Sequence, residues 1–147
     1  MFSSRKITVV GIGYVGLSNA IALARNNPVI AYDIDVEKVL LVNEKKSPLN
    51  ELDIVNYLAN GKLHLSATSS KQEAFKDSEF IIIATPTNFD EETNHFNTLT
   101  VETVIRDILE INNKAVIIIR STIPVGFVDF VREKFGYDNI IFCPEFL

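Results

Sequence analysis

Apolar residues gather in short runs at positions 7–10, 29–32, 80–84, 115–119 and 140–142, and within each run they are mostly continuous rather than alternating. A strand with one wet face alternates, whereas a continuous run fits a strand covered on both faces, as in a parallel sheet between helical layers. A weaker run at 63–67 lies between the second and third of these and makes six strands if it pairs. Between the runs the period changes. Apolar residues recur there at helical spacing and predict helices over 15–25, 36–43, 51–58, 101–111 and 127–135. Strands alternating with helices imply right-handed crossovers and a doubly wound α/β domain, with a mostly parallel sheet of about six strands and helices on both faces. The longest irregular stretch, 85–98, is polar and follows the fourth strand. Ligand loops of such sheets collect at these carboxyl ends.

The first strand leads into Gly11, Gly13 and Gly16 and then into a helical pattern, and Asp33 closes the second strand. A glycine triplet alone is weak, but strand before, helix after and an acid about 20 residues on make a dinucleotide fingerprint of the Rossmann type. Gly11 permits a tight turn off the strand, Gly13 lets a pyrophosphate approach the backbone, and Gly16 lets the helix pack closely on the sheet. The phosphates then face the positive end of that helix. Asp33 is placed to accept from both hydroxyls of an adenosine ribose, and a 2′-phosphate would meet like charge there with no arginine beside it. The expected cofactor is therefore NAD rather than NADP. A helix cap is the alternative task for Asp33, one that Asp35 fills equally well. Lys38 is placed to reach the ribose or phosphate edge, the alternative being a solvated lysine.

Two more strand ends carry polar turns. Thr85-Pro86-Thr87-Asn88 sets two hydroxyls and an amide around a proline, and Arg120-Ser121-Thr122-Ile123-Pro124-Val125-Gly126 repeats the device at the next strand. Cys143-Pro144-Glu145-Phe146-Leu147 puts a carboxylate after the last strand. Cys143 has no adjacent histidine or lysine in sequence, so a buried or half-buried structural thiol is expected rather than a nucleophile. His64 and His95 fit no ligand pattern, and no metal site is expected. Neither a G-x-S-x-G elbow nor a G-x-x-x-x-G-K-[ST] loop is present.

A length of 147 residues fits one domain, and 47% hydrophobic residues suffice for a core. A formal net charge of -5 without a basic stripe argues against a nucleic-acid partner. A single cysteine excludes an internal disulfide. With neither a signal-like segment nor an apolar run of spanning length, no membrane partner is expected and the cytoplasm is the expected location. Leu147 follows a strand-like run without a polar tail, so the chain is expected to continue in a longer parent protein.

In order and spacing these motifs resemble the nucleotide-sugar dehydrogenases of the UDP-glucose/GDP-mannose dehydrogenase family, over the whole chain. The resemblance rests on Gly11-Ile12-Gly13-Tyr14-Val15-Gly16-Leu17, Ala84-Thr85-Pro86-Thr87-Asn88, Val101-Glu102-Thr103-Val104-Ile105, Ser121-Thr122-Ile123-Pro124-Val125-Gly126-Phe127 and Pro144-Glu145-Phe146-Leu147. It implies that residues 1–147 are the NAD-binding domain of a homodimeric enzyme whose central helix and UDP-binding domain lie elsewhere. The implied reaction oxidises UDP-glucose to UDP-glucuronate with two NAD, through an aldehyde and a thioester on a cysteine of a later segment. This chain alone is then expected to be inactive. By the same resemblance Tyr14 and Val15 line the pyrophosphate turn, Asp33 and Lys38 hold the adenosine ribose, and Thr87 and Thr122 face the nicotinamide half. Thr122 and Glu145 are the implied catalytic residues, Glu145 aiming or activating water, and Glu145, Phe146 and Leu147 begin the sugar-binding segment. Arg120 stands where lysine is usual, and Asn97 where Asp is common. GDP-mannose or UDP-N-acetylmannosamine oxidation and a non-catalytic NAD-sensing module are the competing expectations.

Overall fold

The computed structural model describes residues 3–145. β1 (Ile7–Val10) enters the glycine turn, α1 (Tyr14–Ala24) returns to β2 (Val29–Tyr32), and α2 (Val36–Asn43) and α3 (Leu52–Asn60) lead to β3 (Leu65–Thr68). α4 (Lys71–Phe75) precedes β4 (Phe80–Ile83), which is followed by a small hairpin of β5 (Phe89–Asp90) and β6 (His95–Phe96). Then come α5 (Leu99–Ile111), β7 (Val116–Ile119), α6 (Phe127–Phe135) and β8 (Ile140–Phe142). Six strands form one sheet in the order β3-β2-β1-β4-β7-β8, with every neighbouring pair parallel.

Register explains the continuous apolar runs. Val9 lies opposite Ile82, and Thr8 opposite Ile81. Val9 and Ile82 pack with Ala20 and Ala24 of α1, whose small side chains let helix and sheet come close. Ile81, Ile83, Ile117 and Ile119 pack with Val101, Ile105 and Ile108 of α5 and Val131 of α6. Both faces are thus dry, and either side-chain parity must be apolar. Thr8 is the polar interruption, and it is satisfied: its hydroxyl donates to the Ala74 carbonyl and lies 2.7 Å from Ser78 Oγ.

The chain leaves β1 toward β2 and β3, then resumes on the other side with β4, β7 and β8. That reversal opens a crevice at the carboxyl ends of β1 and β4, the place where such sheets bind ligands. The two ends stay in step, since Ala84 N–H donates to the Val10 carbonyl at 2.8 Å.

Three expectations need correction. The third strand is Leu65–Thr68, displaced from the expected 63–67 because its register is set by Leu65 opposite Val29. α4 was not expected, since five residues give no helical period; Ser70 caps it by accepting from Glu73 N–H at 3.4 Å. The stretch 85–98 is not wholly irregular. Phe89 and Phe96 meet edge-on at 5.1 Å across β5 and β6, and Asp90 Oδ1 accepts from Glu92 N–H at 2.9 Å and Thr93 N–H at 3.2 Å to make the turn.

Candidate functional site

The three glycines do three different things. Gly11 has φ +103, and an added Cβ there would lie 2.6 Å from the Ala84 carbonyl oxygen. A Cβ on Gly16 would lie 1.8 Å from the Gly11 carbonyl oxygen, so its closeness is to the turn itself, with Ala84 Cβ behind at 3.5 Å. Gly13 differs from both. Its φ is -104, open to any residue, and an added Cβ would meet nothing within 4 Å. No internal constraint requires glycine at position 13, whereas a ligand seated on the turn would. α1 has neither a side-chain cap nor an acid in its first turn, which leaves its positive end free for an anion.

Two cavities flank this turn. The wider, about 630 Å³, is lined by Gly11, Asp33, Lys38, Lys71, Thr103 and Asp107, among others. The second, about 410 Å³, is lined by Gly13, Tyr14, Val15, Thr87, Thr122 and Glu145, with Arg120 beside them. Thr85 and Pro86 line both. The side chain of Thr85 carries a buried hydroxyl with no hydrogen-bond partner. Buried hydroxyls are rarely left so, and this one belongs to a residue that lines both cavities. The residues present therefore fit an extended dinucleotide.

Asp33 is tied to the turn. Its Oδ2 accepts from Ile12 N–H at 2.7 Å and its Oδ1 from Asp35 N–H at 2.9 Å. The helix cap belongs to Asp35, whose Oδ1 accepts from Glu37 N–H at 3.0 Å and Lys38 N–H at 3.4 Å. Asp33 thus lines the cleft without serving as cap, and each carboxylate oxygen keeps a lone pair for a further donor. Lys38 lines the same cleft, one turn into α2.

Across the cleft, Lys71 of α4 pairs with Asp107 of α5 at 2.7 Å. The hydrogen bond to Asp107 holds the Lys71 ammonium above its usual pKa. Burial does the same for the Tyr32 phenol in the cleft wall. Sequence reasoning missed this pair. Thr103 and Asp107 share one face of α5 at a four-residue spacing, but α4 itself gave no signal.

At the other end, Glu145 Oε2 receives Arg120 Nε at 2.9 Å and Asn19 Nδ2 at 3.1 Å. Burial alone would raise the Glu145 pKa; the hydrogen bonds from Arg120 and Asn19 and the Arg120 charge outweigh it and hold the carboxyl below its usual range. Asn19 carried no sequence signal. Cys143 is exposed, not buried or half-buried as expected, because it leaves the sheet just past the edge strand β8. Arg120 Nη1 donates to its Sγ at 3.2 Å, a cationic neighbour supplied from just past β7 rather than from nearby sequence. Phe146 and Leu147 lie outside the described residues. Among the described residues no three His, Cys, Asp or Glu side chains gather to hold a metal, and no helix is long and apolar enough to cross a membrane.

Comparison with known proteins agrees with this geometry. The chain is 44% identical over 144 residues to a UDP-glucose 6-dehydrogenase of Campylobacter jejuni, covering 97% of this chain and 37% of that protein. It is 46% identical over 142 residues to one of Streptococcus pneumoniae, covering 97% of this chain and 36% of that protein. The chain therefore spans little more than a third of these relatives' length. Among solved structures, a ternary complex of GDP-mannose dehydrogenase from Pseudomonas aeruginosa superposes with a TM-score of 0.82 at 28% identity, over 96% of this chain and 36% of that one. A UDP-glucose dehydrogenase from Pyrobaculum islandicum shares the fold at a TM-score of 0.84 and 23% identity, over 99% of this chain and 37% of that one. The family described as the NAD binding domain of the UDP-glucose/GDP-mannose dehydrogenases matches residues 5–147, and to that family, as its NAD-binding domain, this chain belongs.

Proposed function

We propose that this chain is the cofactor-holding part of a longer enzyme that oxidises a nucleotide sugar, with UDP-glucose as the substrate. The observation that carries the reading is the pair of cavities that share Thr85 and Pro86 in their lining, with the open space over Gly13 between the strand end and the bare start of α1. UDP-glucose is favoured over GDP-mannose because the relatives at 44% and 46% identity are UDP-glucose 6-dehydrogenases, while a GDP-mannose 6-dehydrogenase matches at 33%.

NAD, when bound, supplies the hydride acceptor for oxidation of the sugar's primary alcohol. The work of this chain's own residues is binding and orientation. Gly11, Gly13, Tyr14, Val15 and Gly16 form the pyrophosphate seat. Asp33 and Lys38 hold the adenosine ribose, and Asp33 repels a 2′-phosphate. Thr87 and Thr122 hold the nicotinamide half, and Glu145 with Arg120 closes the reacting end. A carboxylate kept ionised by an arginine is a weak base, so Glu145 aims a water through an accepted hydrogen bond more effectively than it takes the proton. By the resemblance, Phe146 and Leu147 belong to the sugar-binding segment. The nucleophilic cysteine, the UDP grip and the homodimer contact belong to the rest of the longer protein, in the cytoplasm.

Titration of the purified chain with NAD and with NADP, followed by an NADH absorbance assay with UDP-glucose, tests this. NAD binding, weaker NADP binding and no turnover are expected. Absence of NAD binding, or turnover by this chain alone, would overturn the reading.

A further inference from the structure

The Lys71–Asp107 pair is a charged feature of the wider cleft that stands apart from Asp33 and Lys38. An ion pair that only strapped α4 to α5 would contribute little at a wet surface and would gain nothing by bordering a cavity. This one borders the cavity that Asp33 also lines, together with Ile34, Phe75, Leu99 and Val104. An apolar lining with a polar edge suits a flat purine, which offers hydrophobic faces and a patterned rim. Asp33 occupies the ribose position in the dinucleotide reading, on which this inference rests, and that leaves the base for the part of the cleft bounded by Phe75, Val104, Lys71 and Asp107.

We propose that Asp107 and Lys71 read the amino edge of the adenine. Asp107 accepts from the exocyclic amine, and Lys71 donates to the neighbouring ring nitrogen. The carboxylate is the fixed member: its side chain is 17% exposed against 48% for Lys71, and it stands on the longer helix. A fixed acceptor favours an amine and repels a carbonyl at the same place on the ring. The pair is thus a base-specificity determinant, separate from the Asp33 contact that tells NAD from NADP.

Calorimetric titration of the chain with NAD and with nicotinamide hypoxanthine dinucleotide tests this, because hypoxanthine puts a carbonyl where adenine has its amine and a ring N–H where adenine has a lone pair. The wild-type chain should prefer NAD by about tenfold or more. Asp107→Asn, whose amide can turn either way, should narrow that preference to about threefold or less. Lys71→Met should weaken NAD by about fivefold while changing the analogue little. Thermal melts confirm that each variant folds, and the exposed Lys71 supplies an independent arm should Asp107→Asn fail. Lower melting temperatures with an unchanged preference would reduce the pair to a strap and overturn the proposal. Equal wild-type affinity for both dinucleotides would overturn it while leaving the cofactor reading intact, and binding of neither would overturn both.

Discussion

Arg120 grips Glu145 through two nitrogens, Nε at 2.9 Å and Nη2 at 2.5 Å from the same carboxylate oxygen. The pair joins the end of β7 to the segment after β8, alongside the Cys143 N–H that donates to the Ile119 carbonyl at 3.0 Å. Because the Glu145 pKa in the folded chain lies below its ordinary 4.5, the unfolded chain takes up the proton first as pH falls. The pair's stabilisation is therefore complete above the ordinary value and is lost as pH falls through the lowered one. Glu145→Gln should cost about 1–2 kcal/mol at neutral pH, and the gap should close in acid. Melting curves of both chains at pH 7 and near pH 3 check this; a gap that persists in acid means the charge is not what matters.

Gly13→Ala and Gly16→Ala should separate ligand from fold. With nothing within 4 Å of a Cβ at position 13, alanine there should leave the melting temperature nearly unchanged and lower NAD affinity by about tenfold or more. With the Gly11 carbonyl oxygen 1.8 Å from a Cβ at position 16, alanine there should destabilise the chain by several kcal/mol. Equal loss of stability in the two variants would remove the case that position 13 is glycine for a ligand's sake.

The sheet was legible because burial on both faces makes β1, β4 and β7 continuous apolar runs that no surface strand would show. The glycine turn and Asp33 were legible because their backbone needs are local. What stayed hidden was made by distance or by brevity. Asn19 and Arg120 meet Glu145 across 126 and 25 residues, which no spacing rule connects. α4 is too short for a period, so Lys71 had no place on a face. Cys143 looked inert because its cationic neighbour stands 23 residues away, just past β7, and it looked buried or half-buried because it follows an apolar strand, although that strand lies at the sheet's edge.

Asp33→Ala should weaken NAD by about 1.5–3 kcal/mol and narrow the gap to NADP, through loss of a charged acceptor for the ribose. It should also lower stability, because Ile12, fully buried, loses the acceptor for its N–H. Leaving that donor unpaired costs about 1–3 kcal/mol. Calorimetry and thermal melts read the two effects separately. A lower melting temperature with unchanged NAD affinity would limit Asp33 to bracing the turn.

Thr85→Val should move stability and affinity in opposite directions. Valine keeps the branched shape and removes the hydroxyl that lies buried without a partner in the free chain. Relief of that unmet hydrogen bond should stabilise the free chain, by about 1 kcal/mol. If the hydroxyl is instead satisfied by a cofactor that spans both cavities, the same change removes a contact made only when NAD is bound. NAD affinity should then fall, by about threefold to tenfold. A structural hydroxyl predicts a different pattern: its loss would lower stability and leave the affinity of the surviving folded chain unchanged. Melting temperature without ligand and calorimetric affinity for NAD, measured on one preparation, decide between them. A variant that is both less stable and equally avid would place the Thr85 hydroxyl in the fold and not in the site.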